Sequence, residues 1–295
     1  MLDLKNVQGI KEITTQDENY PRSLREIKDA PEVLYSKGEL KAEEKCFAIV
    51  GARRCSDYGK QIALEIAGDL AEAGLTIVSG LAPGIDTIAH QATLERKGKT
   101  IAVLGTGIDE ESIYPQSNLK LAEKILESGG ALVSEYPPGT RGTQFTFPQR
   151  NRIISGLSLG VLVVEAKQKS GALITADWAR KQRRLVFAIP GSIYFSNSKG
   201  CNNLIKNGAK LAESADDILK ELNLQKSDFC IKKTSGETSE ENLILNALKE
   251  GALDVDEIIK RTGLSAQRAA SLLTVLEIKG KIRNLGRNTY AISHR

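Results

Sequence analysis

The stretch FPQRNRIISGLSLGVLVVEA, residues 147 to 166, carries two arginines where local physics places acids. Pro148 ahead of a short apolar-periodic run predicts a helix start there, so Arg150 and Arg152 fall in or near its first turn, at the positive end of the helix dipole. Cations in that position either drape their stems over apolar surface or hold an anion, and the surrounding chain has no acid from Arg141 to Arg152. Phe145 and Phe147 stand beside them. Cations interleaved with aromatics suit single-stranded nucleic acid, whose phosphates need charge and whose unpaired bases expose faces for stacking.

A second candidate is IVGARRCSDYG. Gly51 follows an apolar run, and Arg53 and Arg54 precede a helix that Ser56 or Asp57 can cap, so N–H groups and cations converge as they do at a phosphate site. Equally, Gly51 need only permit a tight turn, with both arginines solvated. Gly80, Gly105, Gly107 and Gly191 end further apolar runs and let backbone approach a ligand there. The first loop lacks GxGxxG, and the second run ends in Ser79, Gly80 and Leu81 without the ribose-binding acid, which disfavours NAD. No GxxxxGK[ST] is present, which disfavours a P-loop ATPase more strongly.

Acid, base and nucleophile candidates are few. The chain has only His90 and His294, and His90 lies four residues after Asp86, where the two can meet on one helix face as a structural tether. Glu135 and Glu165 each end an apolar run; Glu165 either faces a ribose-sized space beside an anion site or accepts from neighbouring loop amides. Ser170 can cap the helix that follows, and Trp178 on that helix is expected to pack against a sheet. Cys46, Cys55, Cys201 and Cys230 have neither CxxC nor Cys/His spacing, so reduced thiols are expected and no metal site or cofactor is indicated.

These residues hang on a regular frame. From Cys46 to Gly191, six short apolar runs (CFAIVGA, LTIVSGLA, TIAVLGTG, ALVSEYP, LGVLVVEA and RLVFAIPG) alternate with helical patterns. Each run is nearly continuous in apolar residues, as strands covered on both faces are, and the order reads as an α/β, doubly wound, mainly parallel sheet. Residues 1–44 read as a polar lead, an irregular segment and short helix strapped to a core domain of residues 45–222. Residues 223–239 lose periodicity and gather Ser, Thr, Lys and Glu, which marks a linker. Residues 240–295 then read as three helices and a hairpin around NLGRN, the plan of a small winged-helix domain.

The 295 residues are 41% hydrophobic and carry a formal charge of +4, enough for a large core and compatible with nucleic-acid binding without requiring it. No apolar run approaches the roughly 20 residues of a membrane span, and the start MLDLKNVQGIKEITT lacks the order of a signal peptide, so a cytoplasmic protein is expected.

The segments YPRSLREIKDAPEVLYSKG, IVGARR, SGLAPGIDTIAHQATL, TIAVLGTGIDEESIYPQSNLKLAEKI, GALVSEYPPGT, FPQRNRIISGLSLGVLVVEA, SGALITADWA and GCNNLIKNGA, in this order over about residues 19 to 219, resemble the DNA-processing protein A (DprA, also Smf) family. The last domain is similar to the winged-helix appendage of many members. The resemblance implies an extended Rossmann-like core that binds single-stranded DNA, forms a homodimer and helps load the RecA recombinase in natural transformation or related DNA uptake and repair. By motif, Arg53 with Gly51 and Arg54 would hold phosphate and Phe147 would stack on a base. Arg150, Asn151 and Arg152 would line the pocket, and Ser79, Gly80, Gly84 and Asp86 would shape the adjacent loop. The dimer contact would fall near NNLIKNGAKL, with Leu204 and Ile205 as its apolar pair. Many members carry an N-terminal helical domain, for which residues 1–18 are too short.

Two other readings compete. Related Rossmann-like enzymes split nucleoside monophosphates with a PGGxGT loop and a nearby acid; this chain has PPGT at Pro137–Thr140 and no GGxGT after a strand, so a non-enzymatic binder is expected. A transcription regulator would read bases with AQRAASLLTVLE, which holds one Arg and one Glu, although Lys279, Lys281, Arg283 and Arg287 are placed to touch phosphate.

Overall fold

The computed structural model describes residues 9–224, 238–248, 251–279, 281–286 and 288–292. Most of the expected linker with Cys230, the first eight residues of the lead, Arg287 and His294 lie outside the described residues, as does the side chain of Arg283. The chain forms two compact units, Met1–Phe229 and Cys230–Arg295.

In the first unit the strands are β1 (Lys11–Thr14), β2 (Val33–Gly38), β3 (Cys46–Val50), β4 (Thr76–Ser79), β5 (Thr100–Leu104), β6 (Ala131–Ser134), β7 (Gly160–Val163), β8 (Leu185–Ala188) and β9 (Lys210–Leu211). The helices are α1 (Arg22–Arg25), α2 (Asp57–Glu72), α3 (Ile85–Glu95), α4 (Leu119–Glu127), α5 (Thr146–Leu157), α6 (Gly171–Lys181), α7 (Lys199–Lys206) and α8 (Ala215–Glu221). One nine-stranded sheet runs β1-β2-β6-β5-β4-β3-β7-β8-β9. Every neighbouring pair from β6 to β9 is parallel, and only β2 runs against its neighbours β1 and β6.

The continuous apolar runs are explained by this double cover. Along β3, Cys46, Ala48 and Val50 join the core under α1, α5, α6 and α7, while Phe47 and Ile49 join the core under α2, α3 and α8. A third cluster seats α4 on Ala102, Leu104 and Leu132. The chain order reverses at β3: α2 and α3 lead outward to β4 and β5, whereas α5 returns to β7 on the other side. A crevice opens beyond the strand ends at such a reversal.

The lead is more regular than the sequence predicts. It contributes β1 and β2 as well as α1, with Tyr35 registered against Ser134 and Leu34 against Ile13. Exposed Lys11 and Glu12 on the outermost strand hide the strand signal, because an edge strand has one solvated side and tolerates charge. The lone turn of α1 carries the fully buried Leu24 into the core under α5.

The second unit contains α9 (Ser239–Ala247), β10 (Leu253–Asp254), α10 (Val255–Thr262), α11 (Ala266–Ile278), β11 (Ile282–Asn284) and β12 (Thr289–Ile292), with its strands in the antiparallel order β10-β12-β11. Thr238, Asp254 and Ser265 cap the three helices by accepting from backbone N–H groups, and Ile244, Leu245, Ile258, Leu272, Leu273 and Leu276 fill the centre. This is a winged-helix domain, with the two-residue β10 added to the expected hairpin.

Candidate nucleic-acid interface

A cavity of about 650 Å³ opens at the carboxyl ends of β3, β4, β5, β6 and β7, lined among others by Gly51, Arg53, Asp86, Tyr114, Phe147, Arg150, Asn151 and Ser170. Phe147 forms its centre. The ring is part-exposed and lies on two glycines: a Cβ at Gly105 would stand 2.8 Å from Phe147 Cδ1, and one at Gly142 would stand 2.5 Å from Phe147 Cζ. Only glycine at both places leaves room for the aromatic, so its orientation is set by backbone. Tyr114 tilts against it with ring centroids 5.6 Å apart, and the exposed Arg53 guanidinium lies 5.9 Å from the Phe147 centroid. Two aromatic faces and a cation thus share one opening.

The helix carrying Phe147 begins at Thr146 rather than Pro148. Thr143 and Thr146 exchange bonds, Thr143 N donating to Thr146 Oγ1 at 2.9 Å and Thr146 N to Thr143 Oγ1 at 3.2 Å, which satisfies N–H groups ahead of the proline. Arg150 and Arg152 therefore lie beyond the first turn, where the dipole has faded. Both are buried, and both meet acids from elsewhere in the chain.

Arg150 donates from Nη1 to Gly80 O at 2.8 Å and to Val103 O, and from Nε to Asn151 Oδ1 at 3.3 Å. The Asp86 carboxylate accepts from Gly80 N at 3.1 Å beside it. Burial pulls the Arg150 guanidinium down to about 10, against the support of Asp86, so it stays charged at neutral pH. Burial likewise pushes the Asp86 carboxyl above its ordinary value, while Arg150 and the N–H groups of Gly80 and Ala82 pull it back. Arg150 thus clamps the ends of β4 and β5 and shows the cavity only part of its surface.

Arg152 turns away from the cavity. Its Nη2 donates to Glu135 Oε1 and its Nε stands 3.7 Å from Asp29 Oδ2, so the expected single pocket shared by Arg53, Arg150 and Arg152 does not form. Asn151 donates to Gly171 O at 3.2 Å and ties α5 to the start of α6. Ser79 donates to Ile49 O at 2.6 Å and lies fully buried beneath the loop with Gly80. Gly84 precedes α3, whose first N–H, that of Ile85, donates to Ala52 O at 3.2 Å and holds the Gly51 loop in place. Arg54 is exposed outside the cavity lining, and its carbonyl accepts from Asn197 Nδ2 at 3.0 Å.

The start of α2 is not an open phosphate cradle. Glu165 accepts from Ser56 N at 2.9 Å, from Ser56 Oγ at 2.5 Å and from Asn197 Nδ2 at 3.2 Å, so a carboxylate of the chain already occupies the helix N-terminus. Of the two placements open to Glu165, hydrogen bonding to loop groups is the one formed. His90 does not meet Asp86. Thr100 Oγ1 gives its proton to Ile77 O at 2.6 Å, so His90 Nδ1, 2.7 Å away, is the donor to Thr100, and Nε2 has no partner. Burial, with a smaller push from Arg150, lowers the imidazole to about 3.

Trp178 is half-buried and faces away from the sheet, which α6 meets through Ala172, Thr175, Ala176 and Ala179; Lys181 Nζ sits 4.6 Å from the Trp178 ring centroid. Cys46 and Cys201 are buried thiols, raised by desolvation, and Cys55 is half-buried. No group of three or more His, Cys, Asp or Glu suited to a metal occurs among the described residues. Leu204 lies in the core at 5% exposure and Ile205 packs partly against it, so Leu204 cannot present a surface; the exposed apolar residue of NNLIKNGAKL is Leu211 on β9. Tyr114 is the residue that sequence reasoning missed. Its only signal is an aromatic inside the polar loop DEESIYPQ, with nothing local to say that β5 delivers it to Phe147.

A family profile described as DNA recombination-mediator protein A matches residues 11–223, and one for the DprA winged helix domain matches residues 232–286. The chain belongs to the DprA/Smf family. It is 45% identical over 217 residues to DNA processing protein DprA of Bacillus subtilis, covering 73% of this chain and 72% of that one. The X-ray structure of DprA from Streptococcus pneumoniae matches with a TM-score of 0.68 and 47% identity, over 74% of this chain and 76% of that one. DNA processing protein A from Helicobacter pylori, solved to address its single-stranded DNA binding mode, matches with a TM-score of 0.64 and 31% identity, over 74% of this chain and all (100%) of that one. Among the described residues no helix is long and apolar enough to cross a membrane.

Proposed function

We propose that the chain binds single-stranded DNA in the Phe147 cavity and acts as a recombination mediator, without catalysis. The carrying observation is the aromatic pair Phe147–Tyr114 with Arg53 at the mouth of one cavity, in a family whose H. pylori member has a described single-stranded DNA binding mode. A base can stack on the part-exposed Phe147 ring while Arg53 meets the adjoining phosphate; in a duplex the base faces are hidden. The acid that a phosphoribohydrolase would need has no free role in Glu165, which is held by Ser56 and Asn197, and this supports a binder over an enzyme.

Loading of a RecA recombinase on incoming DNA, homodimer formation through the α7–β9 edge with Leu211, and a cytoplasmic site of action complete the reading. The winged-helix domain is an accessory in it. Its α11 cation Arg268 is paired with Glu240 at 2.6 Å, and Lys279 just after α11 with Glu241 at 2.8 Å, so these two cations are engaged within the domain.

Anisotropy of a labelled oligonucleotide, single- and double-stranded, tests the core of the reading. Single strands are expected to bind more tightly, and Phe147→Ala is expected to remove most of that preference. Equal affinity for both forms at moderate salt refutes it. Release of free base from a nucleoside monophosphate, abolished by Glu165→Gln, would favour the enzyme instead.

A further inference from the structure

The loop after β8 exposes three consecutive large apolar side chains: Ile193 at 72%, Tyr194 at 88% and Phe195 at 67%. The backbone carrying them is fixed. Phe195 N donates to Ser192 O at 3.1 Å, Ala166 N to Asn197 O at 2.7 Å and Gly200 N to Ala166 O at 2.8 Å. A contiguous apolar patch held out by an ordered loop marks a contact site.

That loop is bonded to the segment that follows Arg53 of the cavity lining. Asn197 Nδ2 donates to Arg54 O at 3.0 Å, one residue from Arg53, and Tyr58 Oη at the start of α2 donates to Pro190 O at 2.9 Å. Between the two sites runs the β7–α6 loop, whose Lys167 and Lys169 are exposed and whose Ser170, with Gly171 at the start of α6, lines the cavity. Lys199 follows the aromatics and is also exposed. The stretches 166–171 and 190–200 hold these three lysines and no acid. Cations beside solvent-facing aromatics, continuous along one sheet edge, fit a polyanion with stacking faces better than an acidic or an apolar protein surface.

We infer that a single strand held at Phe147 continues past the carboxyl ends of β7 and β8, stacking further bases on Tyr194 and Phe195 and placing phosphates on Lys167, Lys169 and Lys199. The inference rests on the single-strand reading above and adds a second binding platform, so that affinity grows with strand length beyond what the cavity alone holds.

The test uses the full chain and two oligothymidines of about 4 and about 16 nucleotides, which bracket common single-strand site sizes. The double variant Tyr194→Ser/Phe195→Ser is expected to bind the short strand as the unaltered protein does and to lose about 30-fold or more on the long one, two stacked bases being removed. Lys167→Gln/Lys169→Gln should lower the salt slope for the long strand by roughly 0.7 per contact and leave the short-strand slope alone. Cross-linking with 5-iodouracil at successive positions should label the peptide of residues 191–199 from positions other than those that label Phe147.

Adducts at Phe147 with none in residues 191–199, or unaltered long-strand affinity in the double variant, overturn the second platform and leave the cavity reading intact. A change confined to sedimentation, with oligonucleotide affinity unchanged, makes the patch a contact between copies of the chain and also overturns it. Failure of the unaltered protein to bind either strand removes the cavity reading, and the second platform with it.

Discussion

Arg150→Met separates a DNA ligand from an internal clamp. The substitution keeps an unbranched stem of similar reach and deletes the guanidinium, which donates to Gly80 O and Val103 O beside Asp86. Breaking a buried charge pair from one side costs about 3 to 5 kcal/mol, because the remaining carboxylate stays buried without its counter-charge. At roughly 2 to 4 °C per kcal/mol for a domain of this size, the melting temperature should fall by about 6 to 20 °C. Asp86 is already raised by burial and rises further without Arg150, so the deficit should shrink on acidification, as protonation removes the stranded charge. Adding Asp86→Asn should recover part of the loss at neutral pH, and the excess over additivity measures the coupling. The assay is thermal unfolding of the four proteins between pH 5 and 8, paired with oligonucleotide anisotropy on the folded variants. A protein with unchanged melting temperature and a reduced salt slope of binding would refute the clamp and return Arg150 to the phosphates.

Three further outcomes are expected. Arg53→Ala should weaken single-strand binding and reduce the slope of log affinity against log salt by about 0.7, whereas Phe147→Ala should cost roughly 1 to 3 kcal/mol with the slope almost unchanged; a slope change in the second variant would contradict the division of charge and stacking. His90, lowered to about 3 in the fold from an ordinary 6.5, should make stability decline as pH falls below 6.5, by up to about 1.4 kcal/mol per unit, since only the unfolded chain takes up the proton. His90→Asn, which keeps a donor for Thr100, should flatten urea-measured stability across that window, and an unflattened slope would count against it. Removal of residues 224–295 should leave most single-strand affinity in the core; a large loss with the core still folded by circular dichroism would place binding on the winged-helix domain.

Much of this protein was legible along the chain. Six short, nearly continuous apolar runs, spaced by helical patterns, are buried between two helical layers, so the parallel sheet and its strand-end crevice follow from period and order. The glycines after the strands were legible as well, since a glycine keeps its backbone freedom wherever the fold puts it, whereas the meeting of Phe147 and Arg53 in one site was implied only by the family resemblance. β1 and β2 were not legible, because the strand character of β2 depends on pairing with β6, and that of β1 on pairing with β2, rather than on their own apolar content. Nor could sequence sort the arginines. Arg53, Arg150 and Arg152 are equivalent as residue types, and the stretch around the last two lacks acids; the fold brings Asp86 from α3 and Glu135 from the end of β6, neutralises two of the three cations inside the protein and leaves Arg53 at the surface. The same holds for Glu165 at the start of α2. Which charge is spent internally and which remains for a ligand is a long-range property, because a Coulomb pair acts through space over a few ångströms and is indifferent to separation along the chain.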